Sequence, residues 1–123
     1  MRRSVRLQTS TPLCNGAFDI YRNKGALRDS IPFVVVVQSA HFDRYRRRVV
    51  VPLALQTLLP RSTPTVGGRM NPTFVIDGVR VVLHPLDMVS VALDQLGEVV
   101  GSLAQEGQTI ADALDELLSR SWG

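Results

Sequence analysis

The chain has few cysteines and histidines and no long apolar run, and each of these absences excludes a class of protein. It contains one cysteine, Cys14, so no disulfide can form within it, and neither this thiol nor the two histidines, His41 and His84, stand at metal-ligand spacing. No apolar run approaches the roughly 18 residues needed to cross a bilayer, and the basic amino end lacks the apolar stretch of a secretory signal. These absences argue against zinc, thiol-redox and membrane proteins, and predict a cytoplasmic protein without a cofactor.

What is present suits one folded unit. A chain of 123 residues with 45% hydrophobic content can supply one core but not two. Residues 1–15 are rich in Ser, Thr and Arg and show little periodicity, which predicts a flexible extension. We therefore expect a single domain over residues 16–123.

The net charge of +3 is distributed unevenly along the chain. Residues 1–15 carry three arginines and no acid, whereas residues 16–84 hold ten Lys or Arg and four acids, and residues 85–123 hold one Arg and seven acids. This division allows ion pairing within one chain or between two chains of a dimer. The densest basic cluster runs from Arg44 to Arg48 and includes Tyr45. Its composition suits either a phosphate contact or a solvated loop face.

Several segments have the residue pattern of β-strands. The candidates are residues 18–21, which alternate apolar and polar, the wholly apolar residues 33–37, residues 48–51, and residues 89–93. An apolar residue at every position of 33–37 predicts a strand covered on both faces. We expect Pro52 to close the third strand, residues 53–59 to form a short helical turn, and the stretch containing Gly97 and Gly101 to be weakly helical.

The strongest local signal is the dipeptide Asp77-Gly78. It is flanked by the apolar segments 74–76 and 79–83, and Asp-Gly tolerates the positive φ angles of a tight type I′ turn. We therefore predict a β-hairpin here.

The carboxyl-terminal part of the chain has helical periodicity. Apolar residues recur at i, i+4, i+7 and i+8, at Ile110, Leu114, Leu117 and Leu118, which predicts a helix over about residues 108–121 that docks one face on a core. The only tryptophan, Trp122, follows it. A large aromatic at this place either closes the core or anchors a partner. Together the elements predict a mainly β domain, an antiparallel sheet or small barrel, with a C-terminal helix over an open face or edge.

Several motifs occur in a particular order. Val37-Gln38-Ser39 precedes Arg47-Arg48 and Val51-Pro52-Leu53, and further elements lie at Asp87–Val91, Leu96–Glu98 and the final Trp122-Gly123. This order resembles the CcdB family of bacterial toxins, in which a strand ending in Val-Gln-Ser leads through a loop to Arg-Arg and a Val/Ile-Pro-Leu strand. The resemblance extends from Phe18 onward.

The resemblance implies an SH3-like barrel or antiparallel sheet with a C-terminal helix, a homodimer, and no catalysis. Such toxins poison DNA gyrase by binding the gyrase A subunit dimer and trapping the cleaved DNA complex. A cognate antitoxin neutralises the toxin, and the two together repress their own transcription. The resemblance therefore implies contact with DNA only indirectly, through the antitoxin complex or gyrase.

The resemblance also assigns residues. Trp122 and Gly123 match the Trp-Gly pair that the family inserts at the gyrase dimer axis, and His41 and Phe42 occupy loop positions beside it. It points to Met88 and the strand that begins at Val89 as the dimer surface.

Two alternatives remain at this point. A related toxin group uses the same barrel to cut messenger RNA, and the cluster from Arg44 to Arg48 would hold the phosphate backbone there. Such an endoribonuclease needs a general acid and a general base, and the sequence offers no clear pair. The other alternative is a folded relative without toxicity that binds an antitoxin as a regulatory module.

Overall fold

The protein is mainly β-sheet with one helix. A computed structural model describes residues 17–38, 44–58 and 67–118. In these residues seven strands and one α-helix follow in order: Asp19–Asn23 (β1), Phe33–Val36 (β2), Arg47–Leu55 (β3), Thr73–Ile76 (β4), Val79–Leu83 (β5), Val89–Ala92 (β6), Leu96–Ser102 (β7) and Gly107–Leu118 (α1). The strand predictions at 18–21, 33–37 and 89–93 are confirmed to within two residues at each end.

The strands form one antiparallel sheet. Its order is β4-β5-β3-β2-β1-β7, and β6 pairs with the first half of β3. The sheet curls into a half-barrel with the single described helix after its last strand. The predicted fold class, mainly β with a C-terminal helix, is confirmed.

The core lies on both faces of the sheet. The larger cluster includes Phe33, Val35 and Leu53 together with Ile110 and Ala113 of α1, so the helix covers that face. A smaller cluster around Val34 and Val36 covers the other face. All four residues of β2 are consequently buried, as the wholly apolar sequence predicts for a strand covered on both sides.

The helix docks through one face, as predicted, but with a different boundary to its apolar stripe. Ile110 and Ala113 are fully buried, and Leu114 packs against the same cluster. Leu118, which the periodicity placed on this face, is 57% exposed, because a spacing of eight residues turns it about 80° around the helix axis from Ile110. Within the described segments, no helix is long and apolar enough to span a membrane.

Strand β3 corrects two sequence-based expectations. Pro52 does not close it, and residues 53–55 continue the strand before a single 3₁₀ turn at Gln56–Leu58. The reason is a change of partner: Arg47–Val50 pair with β6, whereas Leu53–Leu55 pair with β5. Pro52 remains in register with Val34 of β2. On the other edge its carbonyl accepts from the N–H of His84 at 3.0 Å, and its missing N–H falls between the β6 and β5 pairings and interrupts neither.

Strand β7 corrects a third sequence-based expectation. The stretch containing Gly97 and Gly101 is extended, not helical, and it pairs with β1 through two register shifts. A Cβ at Gly97 would lie 2.9 Å from the Cβ and the carbonyl oxygen of Arg22. Glycine at 97 therefore allows a close approach of two strands instead of interrupting a helix.

The predicted hairpin is confirmed. β4 and β5 pair from Thr73 to Val82, and the turn residues Asp77 and Gly78 have φ angles of 52° and 78°. Both are positive, as a type I′ turn requires.

Replacing Gly78 by alanine is expected to lower the free energy of unfolding by about 1–2 kcal/mol, since a Cβ is disfavoured in the left-handed region. No atom lies within 4 Å of the added Cβ, so the destabilisation comes from backbone conformation alone. Urea denaturation of Gly78→Ala measures it, with Gly78→Asn as the companion variant that is expected to lose less, because asparagine tolerates positive φ. An unchanged midpoint for Gly78→Ala would contradict the turn assignment.

Candidate functional site

The residues that the sequence assigns to a partner divide into two groups. Trp122, Gly123, His41 and Phe42 lie outside the described residues. Met88 and Val89 lie inside them: Met88 follows a 3₁₀ turn at Pro85–Asp87, and Val89 is the first residue of strand β6.

The chain on either side of His41 and Phe42 is fastened at the sheet. The Gln38 side chain donates through Nε2 to the carbonyl of Arg47 at 3.3 Å, and its Oε1 accepts from the N–H of Val49 at 3.0 Å. The N–H of Val37 donates to the carbonyl of Val49 at 3.0 Å. The end of β2 and the start of β3 are therefore held together at the base of the segment that carries the two residues.

Two arginines of the basic cluster belong to this base. Arg48 is 2% exposed, and its Nη1 donates to the carbonyls of Tyr45 and Arg47. Arg47 is exposed but reaches across to β6, where Nε donates to Ser90 Oγ at 2.9 Å and Nη2 to the Ser90 carbonyl at 2.7 Å. A buried guanidinium needs such acceptors for its five donors. The Arg47-Arg48 pair thus stabilises the start of β3.

The other two arginines have no such role. Arg44 and Arg46 are exposed on either side of Tyr45, which is 59% exposed. Neither guanidinium has a hydrogen bond or ion pair to a described residue. Two arginines of the basic cluster, Arg47 and Arg48, therefore stabilise the sheet, and the other two, Arg44 and Arg46, are exposed to solvent.

The predicted dimer surface is partly apolar and exposed. Met88 packs against the main core cluster with part of its side chain. Val89 is 50% exposed at the start of β6, and Leu86, in the turn before it, is 66% exposed. Among the described residues β6 pairs only with β3, so its other edge is open. Leu86 was not predicted from the sequence, where no pattern sets it apart from core leucines.

A second feature missed by the sequence analysis joins the two ends of the sheet. Arg22 Nε lies 2.9 Å from Glu98 Oε1 on β7, and Arg22 Nη2 lies 3.4 Å from Asp77 Oδ2 at the hairpin turn. A further pair joins Arg69 Nε and Glu116 Oε1, which are 4.0 Å apart. In the pairs Arg22–Glu98 and Arg69–Glu116, a basic residue of 16–84 meets an acid of 85–123. The partners are too far apart in sequence for any local pattern to indicate them. Exposed pairs of this kind contribute about 0.2–1 kcal/mol each.

A shallow cavity of about 230 Å³ lies between the chain before β4 and the helix, lined by Gly67, Gly68, Arg69, Pro72, Thr73, Thr109 and Asp112. Its two charged groups are already engaged, because Arg69 approaches Glu116 and Asp112 accepts a hydrogen bond from Gln108 Nε2 at 2.9 Å. No group of three potential metal ligands occurs in the described part of the chain. The more distinctive features are therefore the apolar edge at β6 and the basic residues before β3.

Comparison with known protein families adds to this geometry. A family model described as CcdB protein matches residues 17–119, which include every described strand and α1. No curated protein matches the chain.

Proposed function

Because the chain belongs to the CcdB family, whose members are toxin-antitoxin toxins that target DNA gyrase and are not enzymes, we propose that it binds the gyrase A subunit dimer and traps the cleaved DNA complex. The family match over the whole half-barrel and its helix carries this proposal. A cognate antitoxin neutralises the toxin by binding it and removing it from gyrase.

In this proposal the chain's carboxyl end makes the decisive contact. Trp122 and Gly123 insert at the gyrase dimer axis, and His41 and Phe42 contact gyrase beside them. Ile110 anchors α1 in the core, which gives the end of the chain a rigid base. An indole that buries its apolar surface against a partner is a frequent hot spot of binding.

The direct test is incubation of the purified chain with gyrase, ATP and supercoiled DNA, followed by detergent and protease. Linear DNA that accumulates with toxin concentration supports the proposal, and its disappearance on addition of the antitoxin supports neutralisation. Cleavage of messenger RNA without trapped DNA would replace the proposal by the endoribonuclease. A chain that does neither would be the non-toxic relative.

We further propose that the toxin is a homodimer, joined at the apolar edge of Leu86, Met88 and Val89. The half-exposed Val89 on an open strand edge supports this placement. Two copies of the same edge form a self-complementary contact across a twofold axis.

Replacing Val89 by glutamate is expected to convert the dimer to a monomer, since a carboxylate would be desolvated in the contact and two like charges would meet across the axis. Sedimentation equilibrium measures the change. Val99→Glu is the matched control, because Val99 is also an exposed valine on a strand, at β7. Dissociation of the control but not of Val89→Glu would move the dimer surface to β7.

A further inference from the structure

The guanidinium groups of Arg44 and Arg46, just before β3, make no hydrogen bond or ion pair with the described part of the fold. We propose that Arg44, Tyr45 and Arg46, called here the basic tip, contact the phosphate backbone of the duplex DNA that gyrase holds, so that the toxin touches DNA directly. This inference rests on the proposed function for the source of the DNA, although the contact itself is testable without gyrase.

The first argument is the division of labour within the basic cluster. Arg48 is buried on backbone carbonyls and Arg47 is tied to Ser90, whereas the guanidinium groups of Arg44 and Arg46 have no partner among the described residues. Stabilisation of β3 explains the presence of Arg47 and Arg48 but not that of Arg44 and Arg46.

The second argument is the local charge. Residues 44–58 contain no acid, and neither does β6, the strand beside them. The chain after β6 brings Asp94 close to this segment, because the N–H of Leu93 donates to the carbonyl of Arg46 at 2.8 Å. Asp94 forms no ion pair with a described residue. Asp43, which precedes Arg44 in the sequence, and Asp94 together supply two carboxylates against the three exposed arginines Arg44, Arg46 and Arg47, so the net formal charge of this group is still positive.

The third argument is the chemistry of the side chains. A guanidinium binds phosphate oxygens through parallel N–H donors, and a tyrosine hydroxyl is among the groups that contact the DNA backbone. Such contacts position a protein on a duplex without reading its sequence. The basic tip therefore suits sequence-independent binding.

The fourth argument is position. Arg44 follows Phe42 by two residues in the sequence, and Phe42 is proposed to contact gyrase. A toxin seated on gyrase through that segment brings the basic tip to the enzyme that holds the cleaved DNA. The phosphate backbone of that DNA is the polyanion present in the complex.

The first experiment measures binding of the purified full-length chain to a fluorescent duplex of arbitrary sequence, by anisotropy over a series of salt concentrations and without gyrase. The double variant Arg44→Ala/Arg46→Ala is expected to bind at least about tenfold more weakly at low salt. Its slope of log K against log salt is expected to fall by about 1.8, or about 0.9 for each phosphate that an arginine no longer neutralises. The matched control is Lys24→Ala/Arg28→Ala, which removes the same formal charge from the β1–β2 connection, at the opposite end of β2.

An equal weakening in the two double variants would reduce the effect to net charge and overturn the inference, as would absence of binding by the unchanged chain. Tighter binding to single-stranded RNA of the same length would assign the basic tip to RNA and overturn it as well. Circular dichroism of both variants checks that they fold, which is expected because all four side chains are exposed.

The second experiment places the contact in the gyrase complex. The Arg44→Ala/Arg46→Ala variant is expected to need several-fold more toxin for half-maximal trapping of linear DNA, while its binding to gyrase A without DNA is unchanged. Failure to bind gyrase A alone would show that the basic tip contacts protein, and would overturn the inference. Absence of trapping by the unchanged chain would instead reject the proposed function, and leaves the first experiment to decide on the DNA contact.

Discussion

Replacing Trp122 by alanine is expected to abolish trapping of cleaved DNA by gyrase and to leave folding and dimerisation intact. Tryptophan is the most frequent residue at hot spots, where truncation reduces binding by about 2–4 kcal/mol, or roughly 30- to 700-fold. No other residue of this chain carries an indole, so no neighbouring side chain offers the same contact.

The measurement is the toxin concentration that gives half-maximal linear DNA, together with the urea midpoint and the mass in solution. Trp122→Phe is the informative companion, since phenylalanine keeps an aromatic ring of smaller area and is expected to retain part of the activity. Unfolding of Trp122→Ala would show that the ring closes the protomer's own core, and would end the proposal that it anchors gyrase.

The second large effect is expected from truncating Ile110, in the first turn of α1. Ile110 is fully buried between α1 and the sheet, and truncation of such a residue to alanine lowers the free energy of unfolding by about 2–5 kcal/mol. Because this contact fastens the helix that leads to Trp122, Ile110→Ala is also expected to weaken trapping under conditions where the variant remains folded.

Leu118→Ala is the matched control, because it truncates an exposed leucine on the same helix. Its unfolding free energy is expected to change by less than about 0.5 kcal/mol. Urea denaturation and the trapping assay are run on both variants at one temperature. An Ile110→Ala variant that is destabilised yet traps DNA at the normal toxin concentration would show that the end of the chain does not depend on the docking of α1.

Local patterns in the sequence were sufficient for several elements. The Asp77-Gly78 turn requires positive φ at two adjacent residues, and few dipeptides allow it. The wholly apolar β2 can only be stable with both faces covered. The buried side of α1 follows from the spacing of Ile110 and Leu114. In each case the information lies within one element.

The sequence-based predictions were wrong for elements whose conformation depends on partners distant in the sequence. Pro52 is tolerated within β3 because the strand changes partner there, from β6 to β5. Gly97 belongs to a strand because β1 comes close to it. Neither reason is visible within the local segment, where proline and glycine ordinarily mark an end.

The candidate site shows the same division. The motif order places the chain in the CcdB family. The resemblance to that family is also the source of the expected contact residues Trp122, His41 and Met88. Only the structure separates Arg47 and Arg48, which fasten β3, from Arg44 and Arg46, which have no partner among the described residues.

The sequence by itself determined the class of fold, the hairpin, the buried faces and the family, because residue type and spacing decide backbone preference and which side of an element is apolar. The tertiary structure alone decided which strands pair, which leucines stay exposed and which arginines remain available, because each depends on atoms brought together from distant parts of the chain. An arginine has the same charge in either setting, and its neighbours in space decide whether it stabilises the protein or meets a partner.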